Sequence, residues 1–315
     1  MVSGKLYLKV VAFFIILFFF VIAIVNYIVD PYWQFDFASS NTITGVNDQI
    51  SEYYLMGHVY PDLMLDRQKK IIQNSLANIV IIGTSRSLKG LNTCDNYNIQ
   101  KVGFSGISQR FSMQLFEKTI SSNSKKYVFF ELGSLLNDKE LPSEKLTALE
   151  ALFSIRIFFN SLSNFYESYT NQKKYPFCNI STVQLRKWSK ERVEKQRTLY
   201  QNSLSSIEPI MERIAQQCEG SLRDENNPLN IILYIDPVNP NLMSYDKLLT
   251  MKKTLEKIIV NHDFGGGCSL KVEIFQESKE ISQETNWYDI NHYNPLIGDY
   301  FLKEMLRNNV ILRSK

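Results

Sequence analysis

From Val10 to Val25 every residue is apolar, in the run VVAFFIILFFFVIAIV. Nothing constrains the chain more, because no water-exposed surface can carry such a stretch. Leu6, Tyr7 and Leu8 precede Lys9, and after polar Asn26 the residues YIV continue to Val29. A helix needs about 20 such residues to cross the hydrocarbon of a bilayer. Lys5 and Lys9 come before the run and Asp30 follows it. The positive-inside rule then puts the N-terminus in the cytoplasm and everything after Asp30 outside. A cleaved signal peptide would have a shorter apolar core and a small-x-small cleavage site. AIVNYIVDPYW offers no good site. Residues 1–30 are therefore expected to be an uncleaved single-pass anchor in the cytoplasmic (inner) membrane, with the rest of the chain periplasmic or extracellular. The aromatic exit DPYWQF, Asp30 to Phe35, suits the membrane interface.

That placement bears on the cysteines. Cys94, Cys178, Cys218 and Cys268 are far apart and form no C-x-x-C pair, so no zinc or other metal site is expected. An oxidising compartment would allow one or two disulfides, and free buried cysteines are the alternative. The pairing cannot be read from the chain. Charge is nearly balanced, with 35 Lys+Arg against 32 Asp+Glu, which argues against a nucleic-acid partner. The one dense stretch, Arg186 to Arg197, mixes both signs and reads as a solvated helix face.

Beyond the anchor, residues 31–77 read as a membrane-proximal lead-in that ends in a helix over 62–77. From residue 78 to 315, strand-like runs alternate with helical ones. The strands are NIVIIG, QKVGFSG, KKYVFFELG, LNIILYID and SLKVEIF. Helices are expected near 109–121, 142–169, 182–217 and 245–260, and after Pro295. Apolar strands separated by helices indicate an α/β fold, a three-layer αβα arrangement around about five parallel strands. Residues 137–227 carry no convincing strand and read as a helical insertion.

Ligands bind such sheets at the carboxyl ends of the strands. The first strand ends in GTSRSLKG, Gly83 to Gly90. This is neither G-x-G-x-x-G nor a P-loop, so no nucleotide cofactor is expected, and none of another kind. Ser85 in that turn is a candidate nucleophile if a base exists. The chain has three histidines, His58, His262 and His292. His58 lies in the lead-in and His262 at an expected helix end, whereas His292 has Asp289 three residues before it, just ahead of the helix start Asn294-Pro295. A carboxylate there can fix the imidazole tautomer while the other ring nitrogen faces the serine. Arg86 has two readings, orienting an acidic substrate or pairing with a local carboxylate. Asp236 and Asn239 in DPVNP are explained by turn chemistry.

These blocks resemble the SGNH (GDSL-like) hydrolases. Gly83-Thr84-Ser85-Arg86 looks like their first block, with the nucleophilic serine, and Asp289-Ile290-Asn291-His292 matches their last. VGFSG, Val102 to Gly106, looks like the second block, with Gly103 as an oxyanion-hole donor. The third block is a G-x-N; here Gly133 is followed by asparagine only at Asn137, which departs from the pattern. The resemblance implies a flavodoxin-like sheet, a Ser85–His292–Asp289 triad, and an oxyanion hole from Ser85, Gly103 and Asn137. Over residues 10–310 the chain also resembles membrane-anchored bacterial relatives of proteins that acylate surface polymers, such as alginate O-acetylation and teichoic-acid D-alanylation proteins. That implies a serine acyl-esterase or O-acyltransferase acting on cell-surface polysaccharide, beside an integral membrane acyltransferase. A non-catalytic anchored subunit that binds glycan or scaffolds such a complex is the alternative.

Overall fold

The computed structural model describes residues 4–29, 61–91, 98–104, 106–137, 147–159, 161–162, 207–223, 226–275, 278–283, 286–287 and 292–310. Several expectations lie outside these residues: the DPYW exit, His58, Cys94, Cys178, the mixed-charge stretch at 186–197 and Asp289. In chain order the elements are α1 (Gly4–Val29), α2 (Pro61–Asn74), β1 (Ile79–Gly83), α3 (Ser85–Gly90), β2 (Ile99–Gly103), α4 (Gln109–Ile120), β3 (Tyr127–Glu131), α5 (Leu132–Leu135), α6 (Ala148–Phe153), α7 (Ile207–Glu219), β4 (Leu229–Ile235), α8 (Tyr245–Val260), β5 (Cys268–Ile274), α9 (Lys279–Ser282) and α10 (Pro295–Asn309). The chain divides into two units: Met1–Arg67 with Ser143–Tyr175, and Gln68–Pro142 with Pro176–Lys315. The boundary thus falls inside α2, and part of the expected insertion groups with the N-terminal segment.

In the first unit, Leu6–Ile28 of α1 is long and apolar enough to cross a membrane, with a mean hydropathy of 3.1. α6 begins at a capping box. The Thr147 hydroxyl accepts from the Glu150 N–H, and the Glu150 carboxylate accepts from the Thr147 N–H. The helix expected over 142–169 is broken at Ser154, and a second helical run follows at 155–159.

In the second unit the five strands form one sheet in the order β2-β1-β3-β4-β5, parallel throughout. This is the flavodoxin-like order. Every residue of β1 is buried, as strands covered on both faces require. Side-chain alternation splits the core into two. On one face Ile79, Ile81, Phe129, Ile232 and Tyr234 pack with Ile297, Phe301, Leu302 and Met305 of α10. From the other face, Phe130 stacks on Phe116 of α4 with ring centroids 5.7 Å apart. Each fully buried aliphatic or aromatic side chain in such a core contributes about 1.5–3 kcal/mol.

Two contacts fix the segments that carry the site. A Cβ on Gly298 would overlap the Gly90 carbonyl, so two glycines let the backbones of α3 and α10 touch. The buried Lys101 ammonium donates to the carbonyls of Leu88, at 2.8 Å, and Leu91, at 2.9 Å, closing the C-terminal end of α3. A disulfide joins Cys218 at the end of α7 to Cys268 at the start of β5.

Candidate active site

β1 ends at Gly83 and the chain turns at once into α3. Thr84 is the N-cap; its hydroxyl accepts from the Arg86 N–H at 3.3 Å. Ser85 therefore stands at the first helical position, above the carboxyl end of β1. His292 comes from the segment just before α10, where Asn294 caps the helix by accepting from the N–H groups of Leu296 and Ile297. The helix start read from Asn294-Pro295 is thus the observed one. The Ser85 Oγ and His292 Nε2 lie 3.0 Å apart, across 207 residues of sequence. That is hydrogen-bond distance for a nucleophile and its base.

Beneath this pair lies a buried polar network. The Glu131 carboxylate, at the end of β3, accepts from the Thr84 N–H, from the Thr84 hydroxyl at 2.9 Å, from the Ser87 hydroxyl at 2.7 Å and from the Arg86 guanidinium at 2.9 Å. Asp236, just past β4, accepts from the Tyr293 hydroxyl at 2.8 Å and lies 3.0 Å from the Ser87 Oγ. Its Oδ2 is 3.7 Å from the Arg86 Nε. The Tyr234 hydroxyl donates to the Ser87 Oγ at 2.8 Å. The network thus grips the residues on both sides of Ser85 and the residue after His292.

Its charge state follows from its surroundings. Burial alone would raise the Glu131 pKa, but the Arg86 charge and the hydrogen bonds from Ser87 and Thr84 hold it below the usual carboxylate range. Burial, and then the negative charge of Glu131, push Asp236 well above that range. Burial works against the Arg86 cation, but Glu131 and Asp236 outweigh it and raise its pKa. Burial also raises both tyrosines well above their ordinary value. Of the two acids Glu131 is thus the one that ionises more readily, beside the Arg86 cation, and Asp236 the one that holds its proton to higher pH. Ser87 has one hydroxyl hydrogen and two carboxyl neighbours, at 2.7 Å and 3.0 Å, so it can donate to only one of them at a time.

The other candidate residues sit as follows. Gly103 has φ +129°, and a Cβ there would overlap the Gly83 carbonyl, so the position demands glycine. Its N–H donates to the Gln68 Oε1 at 3.2 Å. Asn137 lies one residue past the turn that ends α5; its side-chain amide donates to the carbonyls of Gly106, at 3.0 Å, and Ile107, at 2.8 Å. Two of the three expected oxyanion donors, Gly103 and Asn137, are thus engaged within the protein. Of the two readings of Arg86, the carboxylate pairing is the one present. Asn239 is a turn residue, accepting from the Asn241 N–H at 2.9 Å. Asp236 is more than that, because its side chain is a buried member of the network. Glu131, Ser87, Tyr234 and Tyr293 were missed by sequence reasoning. The available signal was the acid ending YVFFE, a strand otherwise apolar on both faces. Among the described residues no cluster of His, Cys, Asp and Glu could hold a metal ion.

Comparison of the chain with protein-family models, with curated proteins and with solved structures found no match.

Proposed function

We propose that the protein is a membrane-anchored, extracytoplasmic serine acyl-esterase or O-acyltransferase acting on cell-surface polysaccharide. The observation that carries this reading is the 3.0 Å separation of the Ser85 Oγ and the His292 Nε2. The apolar length of α1 supports an anchor. The Cys218–Cys268 disulfide supports an oxidising compartment.

In this reading His292 takes the Ser85 hydroxyl proton as Oγ attacks the carbonyl carbon of an acyl ester. The tetrahedral intermediate collapses, His292 returns the proton to the leaving alcohol oxygen, and an acyl-serine remains. Water or a sugar hydroxyl then gives its proton to His292 and attacks the acyl carbon, and His292 returns that proton to Oγ as Ser85 leaves. Asp289 is the carboxylate assigned to hold the imidazole. The backbone N–H groups of Ser85 and Gly103 are the proposed oxyanion donors, each worth about 3–4 kcal/mol in the transition state. For Gly103 to serve, its N–H must exchange Gln68 for substrate.

The engaged N–H of Gly103 and amide of Asn137 favour the second reading, an anchored subunit that binds glycan or scaffolds an integral membrane acyltransferase without chemistry. A fluorophosphonate probe on the full chain in detergent separates the two. The enzyme reading expects labelling of wild type and none of Ser85→Ala. Failure to label a folded wild type would overturn the enzyme reading and favour the non-catalytic one.

A further inference from the structure

We propose that α6 with the helical residues 155–159 and 161–162 forms a second membrane-contacting element, lying in the interfacial layer of the bilayer at the C-terminal end of α1. The proposal rests on the reading of α1 as a membrane anchor.

Most of α1 is bare, with Phe13, Phe14, Ile16 and Phe20 each at least 60% exposed. Near its C-terminal end the pattern changes. Ile22, Ala23 and Asn26 are buried, at positions that share one helix face. α6 packs against that end of the helix, and Asn26 bonds it in place. The Asn26 Nδ2 donates to the carbonyls of Ala151, at 3.2 Å, Leu152, at 2.9 Å, and Ser154, at 3.0 Å. Its Oδ1 accepts from the Ser161 hydroxyl at 3.2 Å. One amide thus ties α6, the Ser154 break and Ser161 to one turn of α1.

The surface these runs turn outward is rich in large apolar side chains, with Glu150 and Arg156 as exposed charges among them. Leu149, Phe153, Ile155, Phe159 and Leu162 are all exposed, while Ala151, Ile157 and Ser161 face inward. Five large apolar side chains within fourteen residues form a patch of the kind that soluble surfaces avoid. Two observations point to lipid as the occupant. The patch lies partly on α6, an element packed against α1, whose own flank is bare and apolar. Its depth also fits: Asn26 lies twenty residues after Leu6, about 30 Å along the helix axis, which is about the thickness of the hydrocarbon core. The element would therefore sit at the hydrocarbon boundary, where short amphipathic helices bury their apolar face. Asn26, at the same depth, has every amide group satisfied within the protein, as a polar side chain in that layer requires.

The test places a photoreactive benzoylphenylalanine at Phe153 or Phe159 of the full chain in native membranes. Phe18 in α1 serves as the lipid reference and Val260 on α8 as the aqueous one. After irradiation, mass spectrometry identifies what each probe has captured. Phospholipid adducts from Phe153 and Phe159 at a yield comparable with Phe18, and none from Val260, are the expected result. Lipid adducts from Phe18 alone would overturn the proposal and leave the anchor standing. Capture of an integral membrane protein at Phe153 and Phe159 would overturn it in favour of a protein docking face. Absence of lipid adducts at Phe18 would bring down the anchor reading and the proposal together.

Discussion

Each unit of the molecule is organised around a polar group held in apolar surroundings, and the two solutions differ. In the first unit a neutral amide, Asn26, is satisfied by three backbone carbonyls and one hydroxyl. In the second, Arg86, Glu131 and Asp236 form a charged hub with two tyrosines and a serine. The neutral hub carries no desolvation cost of a charge and can be lost cheaply. The charged hub is costly to bury and costlier to break, since removing one member strands another. What the charge adds is direction. Glu131 holds Thr84, Arg86 and Ser87, and Asp236 holds Tyr293, so the hub sets the approach of Ser85 and His292.

The sharpest way to break the comparison is Arg86→Met. It leaves the Glu131 carboxylate buried without its cation and should cost about 3–5 kcal/mol, read as a lowered denaturant midpoint for the full chain in detergent. Arg86→Met with Glu131→Leu should recover most of that loss, because a buried pair replaced whole is nearly neutral. The double variant should still label poorly with fluorophosphonate, since Thr84 has lost its acceptor. Full labelling would show that the hub stabilises the fold without aligning Ser85.

Asn26→Leu should cost only about 1 kcal/mol. Its effect should be local: faster amide hydrogen exchange over residues 148–159, with β4 unchanged. Equal acceleration in both places would mean that the two hubs share one cooperative unit.

The smallest effect is expected from Asp236→Asn at low pH, and its pH dependence carries the information. The folded-state pKa of Asp236 is raised above its unfolded value, 3.8 for the free side chain. Its contribution is then complete below about pH 4 and is lost as pH rises through the folded value. Asparagine cannot lose a proton. The Tm of Asp236→Asn relative to wild type should therefore climb as pH rises. Parallel curves would mean that Asp236 is already ionised in the fold. Glu131 works in the opposite sense: its pKa is lowered, so its contribution is lost as pH falls below about 4.5.

The sheet was legible because its strands are short runs rich in apolar residues, four of the five ending in glycine or an acid. α3 was not, since SRSLKG is six residues with no apolar period. The Ser85–His292 pair was legible from chemistry, a serine after a strand and a rare histidine before a helix cap. The hub beneath it was not. Tyr234 and Tyr293 look like ordinary core aromatics, Ser87 like a turn residue and Asp236 like half of a turn, and only the fold brings their polar ends together. Asn26 read as an interruption of the anchor because its partners lie more than 120 residues away.

The Cys218–Cys268 bond closes a ring of 50 residues around β4 and α8. In the loop-entropy description such a ring withholds about 4 kcal/mol of freedom from the unfolded chain. β5 is an edge strand, and edges are where sheets fray and where stray chains add. With its first residue tethered to the end of α7, β5 stays held at its N-terminal end even when its pairing with β4 opens.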